Sequence, residues 1–452
     1  MKKGDIIEIN IEDMTKEGMG IGHYEGMAVF VDNAAPGDRL SCKLTKLKKS
    51  YATGKMLKLI NASCSRITPE CSFFPDCGGC SFCHIDYEAE LKIKERWVKD
   101  ALKRIGKLNI DVLPIIGAPS VTHYRNKSQF PVGVNEKGDI IGGFYKRESH
   151  DIVDIYSCNI SSIEANQTLK VLKQFIRTYD LTAYDEKTKR GLIRHVYIRS
   201  SKQSCEVLVT VVINGNNLPH YEELIADLKK EIKGFSGLLI NVNRSDTNLV
   251  LGEKFITLWG KDYIKDEMLG INFHISPLSF YQINSEQTKN MYEIVREYAD
   301  LSEKDTLLDL YCGIGTMSLI LSKQAGKAIG IEIISKAIED AKLCAKENNI
   351  DNTEFICADA AKAPALLKER NISPDVIIID PPRKGCDMET LNAITELSPE
   401  KLIYVSCDPA TLARDLKYLS ENGFNVVKCQ PLDMFPRTPH VETVVLMSRK
   451  DK

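Results

Sequence analysis

From about residue 266 the chain alternates short apolar runs, "DTLLDLYC", "KAIGIE", "TEFICAD", "DVIIID", "KLIYVSC", "FNVVKCQPLD" and "VETVVLMSR", with amphipathic stretches such as "SKAIEDAKLCAKENN". Runs this apolar are buried on both faces, and with helices between them they imply an α/β, doubly wound parallel sheet. Ligands of such a sheet lie at the carboxyl ends of its strands. The first strand runs into "LDLYCGIGT", where Gly313 and Gly315 let backbone approach a ligand closely. The next three end at Glu332, placed to bond a ribose diol, at Asp359 and at Asp380. One G-x-G turn is weak evidence and lacks the third glycine of the dinucleotide fingerprint. Four successive strand ends of this kind are not weak.

The fifth run leads into "VSCDPATLARD". Asp408 as N-cap, Pro409 at the first helical position and Gly423 at the end mark the following stretch as a helix, so Cys407 sits at a strand-to-helix junction. Unpaired N–H groups and the positive end of the helix dipole favour a thiolate there, although an average cysteine is core filler.

Upstream, residues 4 to 60 alternate apolar runs with Gly-containing turns and read as a small all-β, OB-like barrel. A cysteine-rich segment, 64 to 83, and a helical one, "YEAELKIKERWVKDALKRIG", follow. Runs such as "EVLVTVVING", "FSGLLINVN" and "NLVLG" assign residues 125 to 265 to a central α+β domain. The expected division is 1–60 as the barrel, 61–88 with 125–265 as the central domain, and 89–124 with 266–452 as the catalytic domain.

The four strand ends resemble the class I S-adenosylmethionine-dependent methyltransferases. "GMGIGHYEGMAVFVDNAAPGD" resembles a TRAM domain, an RNA-binding barrel. "DPPRKG", "SCDPATLARD", "HVETVVLM" and "SFYQIN" together resemble the RNA uracil-5-methyltransferases, over essentially the whole chain. Uracil C5 is too poor a nucleophile to take a methyl group directly, so a thiolate first adds to C6, and a base later removes the C5 proton. The resemblance implies Cys407 as nucleophile and Glu442 as base. It implies Gln282, Tyr311, Gly313, Gly315, Glu332, Asp359 and Asp380 around S-adenosylmethionine or the uracil. The family often has Asn where this chain has Thr316, which is left out of the site. A uracil in structured RNA must be extruded, with Phe280 as the aromatic that fills the gap; ordinary core packing accounts for Phe280 equally well.

"CSFFPDCGGCSFC" carries Cys71, Cys77, Cys80 and Cys83. The C-x2-C-x2-C run resembles a ferredoxin half-site, with zinc as the competing metal. In the rRNA-modifying branch the pattern is C-x5-C-G-G-C with a distant fourth cysteine. That implies a [4Fe–4S] cluster on Cys71, Cys77, Cys80 and Cys158, Cys83 being the alternative fourth ligand. The tRNA branch lacks both the cluster motif and the barrel, so 23S rRNA is the expected substrate and partner.

A net charge of −2 excludes a global polycation, so RNA must be met by local basic surface. Candidates are "KLTKLKKSYATGK", "HYRNKSQF" with Arg125 and Lys127, and "RGLIRHVYIRS". The last two serve equally as solvated surface or internal pairing. No apolar run reaches membrane length and the start has no signal-peptide core, so a cytoplasmic protein is expected; no obligate protein partner is evident, and a monomer is expected. The 14 cysteines then point to metal or catalysis rather than disulfides. Rival readings are a tRNA uracil-5-methyltransferase, an RNA cytosine-5-methyltransferase, which carries a second cysteine where this chain has "DPPR", an amino-group methyltransferase, which carries an aromatic where this chain has Arg383, and a non-catalytic RNA-binding or electron-transfer protein.

Overall fold

The computed structural model describes residues 1–450. The chain opens with β1 (Ile6–Asn10), β2 (Asp13–Met14), β3 (Met19–Tyr24), β4 (Met27–Asp32), β5 (Arg39–Leu47) and β6 (Tyr51–Asn61), a curled sheet of order β1-β5-β6-β4-β3-β2. Alternation puts Ile7, Ile9, Val29, Val31, Leu40 and Leu44 inside. The sheet closes tightly where β3 meets β1: a side chain at Gly22 would come within 2.3 Å of the Asn10 carbonyl. The lysines of the β5–β6 hairpin are exposed on its outer face.

After the cysteine-rich loop comes α1 (Tyr87–Ala101), capped by Asp86, whose carboxylate accepts the Ala89 N–H at 3.0 Å. It continues as a π-helical turn, Leu102–Gly106, and an extended segment. In that segment the N–H groups of Leu113 and Ile116 donate to the carbonyls of Cys429 and Pro431 at 2.9 and 3.0 Å. Val98 and Leu102 lie in the core of the C-terminal sheet. Lys94, fully buried in α1, pairs with Glu90 and with Asp433, each at 2.7 Å, and Tyr87 donates to Asp433 at 2.9 Å.

The middle of the chain contributes β7 (Lys127–Val134), β8 (Ile140–Tyr145), β9 (Ile152–Asp154), α2 (Ile163–Thr178), β10 (Ile193–Ser200), β11 (Val207–Ile213), α3 (Tyr221–Glu231), β12 (Phe235–Val242) and β13 (Lys254–Gly260). Their sheet order is β13-β12-β11-β10-β7-β8-β9, and α2 and α3 pack on it through one shared core. "NLVLG", expected as a strand, is an irregular loop with Leu249 70% exposed. The Asn243 and Asn241 amides donate to the carbonyls of Leu249 and Gly252 at 2.7 and 2.8 Å, replacing a strand partner. Arg194 and Arg199 of the expected basic segment are buried in β10 and donate to backbone carbonyls of Asn243 and Ser279, so they serve internal pairing, not phosphate.

A hairpin of β14 (Ile264–Met268) and β15 (Ile271–Ile275) leads to α4 (Ser285–Ala299). Then follow β16 (Thr306–Leu310), α5 (Thr316–Ser322), β17 (Lys327–Glu332), α6 (Ser335–Glu347), β18 (Thr353–Cys357), α7 (Ala363–Glu369), β19 (Val376–Ile379), α8 (Met388–Leu397), β20 (Lys401–Ser406), α9 (Pro409–Glu421), β21 (Phe424–Leu432) and β22 (Glu442–Arg449). The order β18-β17-β16-β19-β20-β22-β21 has helices α4, α5 and α6 on one face and α1, α7, α8 and α9 on the other. The doubly wound arrangement is as expected from the alternation. The sheet is not wholly parallel, however: β22 enters antiparallel between β20 and β21. The connection from β21 to β22 is too short to cross a sheet face, so the chain can only turn back. Among the described residues no helix is long and apolar enough to cross a membrane.

Candidate active site

A cavity of about 810 Å³ opens at the carboxyl ends of β16, β17, β19 and β20. Gly313, Glu332, Asp359, Asp380, Cys407 and Glu442 all line it, as do Gln282 and Tyr311. Gly315 does not. A side chain there would meet the Phe355 ring at 2.7 Å, and its φ of +77° suits glycine, so its smallness serves helix packing beneath the site. At Gly313 a side chain would meet nothing within 4 Å and would project into free space.

The acids are held by local structure. Glu332 accepts the N–H groups of Gly313 and Ile334 at 3.2 and 2.9 Å, which fixes its carboxylate over the turn after β16. Asp359 caps a short 3-10 turn through the Ala361 N–H at 3.0 Å. Asp380 accepts the Gln282 amide at 3.2 Å, and Gln282 is anchored by its carbonyl to the Asn126 amide at 2.8 Å. Burial pushes Asp380 up to about 7, against the lowering effect of the Gln282 bond. Asp309, below the cavity floor, is also pushed up to about 7 by burial; Ser318 binds one oxygen and the other has no partner.

Cys407 lies between the last residue of β20 and Asp408, the N-cap of α9, as the sequence signals predict. Its expected thiolate character is not what the surrounding protein groups favour. Burial first, then the charges of Glu442 and Asp380, push the thiol up to about 12, with Arg383 opposing. The N–H groups at the start of α9 are already taken: Ala410 and Thr411 donate to Asp408 at 2.9 and 3.2 Å. A cap carboxylate thus occupies the dipole that would have favoured the sulfur anion. Glu442 is 2% exposed; burial, and then Asp380, raise it well above the ordinary carboxylate range.

Phe280 is 66% exposed at the cavity lip, which removes core packing as its explanation. Arg125 and Lys127 also line the cavity, and burial takes Lys127 down to about 8. Three liners were missed or set aside in the sequence. Thr316 bonds the Tyr292 hydroxyl at 2.9 Å. Arg383 and His440 approach one another at 3.4 Å, and Arg383 draws down both Cys407 and Glu442. The motif "DPPRKG" held the signal for Arg383; His440, in "HVETVVLM", stood beside Glu442 unremarked.

A second cavity, of about 310 Å³, is lined by Cys71, Cys77, Cys80, Cys83 and Cys158. Cys80 and Cys83 share a hydrogen bond that raises the former thiol and lowers the latter. Among the described residues no set of three or more His, Cys, Asp or Glu side chains is grouped to hold a metal ion. The cysteine loop docks on the chain that leads to Glu442: the N–H groups of Ser81 and Phe82 both donate to the Arg437 carbonyl, at 2.8 and 3.3 Å.

Residues 86–450 match the family model described as tRNA (Uracil-5-)-methyltransferase, and residues 1–57 match that of the TRAM domain. An uncharacterized RNA methyltransferase of Clostridium tetani is 42% identical over 448 residues, spanning 99% of this chain and 97% of its own. Another, from Halalkalibacterium halodurans, is 42% identical over 452 residues, spanning 100% of this chain and 98% of its own. Among solved structures, the Pyrococcus abyssi tRNA (uracil-54, C5)-methyltransferase in complex with S-adenosyl-L-homocysteine has a TM-score of 0.78 at 28% identity, covering 98% of this chain and all of its own.

Proposed function

Because this chain belongs to the tRNA (Uracil-5-)-methyltransferase family and carries a TRAM domain, we propose that it methylates uracil C5 in 23S rRNA through a covalent Cys407–C6 adduct. The observation that carries this reading is the meeting of Cys407 and Glu442 in one cavity with Gln282, Asp380 and the Gly313 turn.

Bound S-adenosylmethionine supplies an electrophilic methyl group. Gly313 and Glu332 would hold its backbone-facing and ribose parts, Asp359 its adenine end and Tyr311 its flank. The Cys407 thiol releases its proton to solvent as its sulfur bonds C6, and the C5–C6 π electrons move toward C4 and O4 as an enolate. Arg383, which draws down the thiol, favours that ionisation. C5 takes the methyl group. Glu442 then removes the C5 proton, and the enolate expels the Cys407 sulfur, restoring the C5–C6 double bond. Asp380 and Gln282 would orient the base, and Phe280 at the lip would fill the gap left by the extruded uracil.

Five cysteines lining one cavity offer a soft, all-sulfur donor set, the kind an iron–sulfur cluster takes. Cys71, Cys77, Cys80 and Cys158 would hold a [4Fe–4S] cluster, with Cys83 beside Cys80. The methyl transfer moves no net electrons, so the cluster would act as a structural clamp. The cysteine motif supports rRNA; we read the enzyme as cytoplasmic, where rRNA is made, and as a monomer.

A second reading, tRNA, is favoured by the Pyrococcus enzyme, a tRNA methyltransferase whose likeness spans 98% of this chain. The barrel therefore does not discriminate. Mapping 5-methyluridine in 23S rRNA and tRNA from a deletion strain separates the two. Loss confined to 23S rRNA is expected; loss confined to tRNA would overturn the rRNA assignment.

A further inference from the structure

The turn between β2 and β3 is gripped from three sides. On one, Arg96 pairs with Asp13 at 3.0 Å and the Trp97 indole N–H donates to the Met14 carbonyl at 3.0 Å, both from α1. On another, Arg147 donates to the Glu17 carbonyl at 3.4 Å, and Gly18 lies so close to the cysteine loop that a side chain would come within 2.6 Å of Ser81. On the third, Lys16 Nζ forms an ion pair with Asp408 Oδ2. The other oxygen of Asp408 caps α9. One carboxylate is thus shared between a barrel lysine and the helix that starts next to Cys407.

We propose that Lys16 is a positioning residue for methyl transfer: its bond to Asp408 fixes the start of α9, and so the Cys407 sulfur, and offsets negative charge beside it. This rests on the reading of Cys407 as nucleophile. The charged groups that act on the thiol are Glu442, Asp380 and Asp408, all raising it, with Arg383 opposing. Lys16 pairs with one of the three acids, and its charge reaches the site, since it also acts on His440. The barrel thereby takes part in readying the nucleophile, in addition to any hold it has on RNA. Neither half of that coupling needs the barrel to move: the Met14, Glu17 and Gly18 contacts hold the turn while Lys16 reaches across.

The test uses the full chain with Lys16→Met and Lys16→Arg. Cys407 alkylation by iodoacetamide is followed by peptide mass spectrometry across pH, and adduct formation with 5-fluorouracil-containing RNA is timed at saturating RNA. Lys16→Met is expected to slow alkylation about tenfold at each pH below the thiol's own range, and to slow adduct formation about tenfold at neutral pH. Lys16→Arg should restore both. In an Asp408→Asn background Lys16→Met should add little, since its partner charge is gone. An unchanged alkylation rate, or weaker RNA binding with an unchanged rate at saturation, would make Lys16 an RNA contact only and end the proposal. If adduct still formed in Cys407→Ala, the nucleophile reading itself would fall, and this inference with it.

Discussion

Ser406 and Thr443 are direct partners across the antiparallel ladder of β20 and β22. Since the strands run opposite ways, the residue after Ser406 and the residue before Thr443 lie at the same end of the sheet, and these are Cys407, just past β20, and Glu442, the first residue of β22. A sulfur that adds to one ring carbon and a carboxylate that takes a proton from the next must share one rigid frame. Neighbouring hydrogen-bonded strands provide it.

Cys407→Ala is expected to lower kcat by on the order of a thousandfold or more and to abolish covalent capture of 5-fluorouracil RNA. Glu442→Gln should still form the adduct and carry it through methylation, but leave it attached. Denaturing gels of enzyme with labelled RNA distinguish the two, and a Glu442→Gln variant that turned over normally would exclude it as the base.

The two glycines after β16 should separate binding from stability. Gly315→Ala drives a methyl group into Phe355 at a left-handed φ and should destabilise the fold by about 1–3 kcal/mol in denaturant unfolding. Gly313→Ala meets no protein atom; it should cost the fold less, while weakening S-adenosylmethionine binding in calorimetry by filling the cavity.

Asp309 offers a pH test. Its folded pKa, about 7, lies above its unfolded value, so its contribution to stability is full below about pH 4 and is lost as pH rises through 7. Asp309→Asn stays neutral throughout. The variant should therefore gain on the parent between pH 4 and 8, by a few kcal/mol at most; a constant difference in unfolding free energy over that range would contradict the raised value.

For the second cavity, anaerobic reconstitution with iron and sulfide is the relevant measurement. Cys158→Ser should lose visible cluster absorption and bound iron, whereas Cys83→Ser should retain both. The reverse result would make Cys83 the fourth ligand.

The succession of strands from β16 to β20 was legible because each carries a short apolar run and the first four end in a turn glycine or an acid. Cys407 was legible for a local reason too, the Asp408-Pro409 start of α9. What escaped depends on partners distant in the chain. The protonated state of Cys407 is set by burial and by acids on two other strands, none visible at its own position. Gly315 looked like a ligand glycine because its close neighbour, Phe355, comes from β18, and the arginines of β10 looked basic because their carbonyl acceptors lie in separate loops. The antiparallel entry of β22 follows from a short connection that periodicity does not report. Phe280 could be weighed only when its exposure was known.

The Lys94 cluster sets a lower limit on how small a working version of this protein can be made. A fragment beginning near residue 266 would keep every strand of the last sheet, yet would strand the Asp433 carboxylate without its ammonium and its phenol donor and bare the flank of β21. Removing one partner of so deeply enclosed a pair typically costs about 3–5 kcal/mol, a large share of a domain's margin. A minimal methyl-transferring unit would have to include α1 and the segment after it, which belong to the C-terminal layer in space though not in sequence.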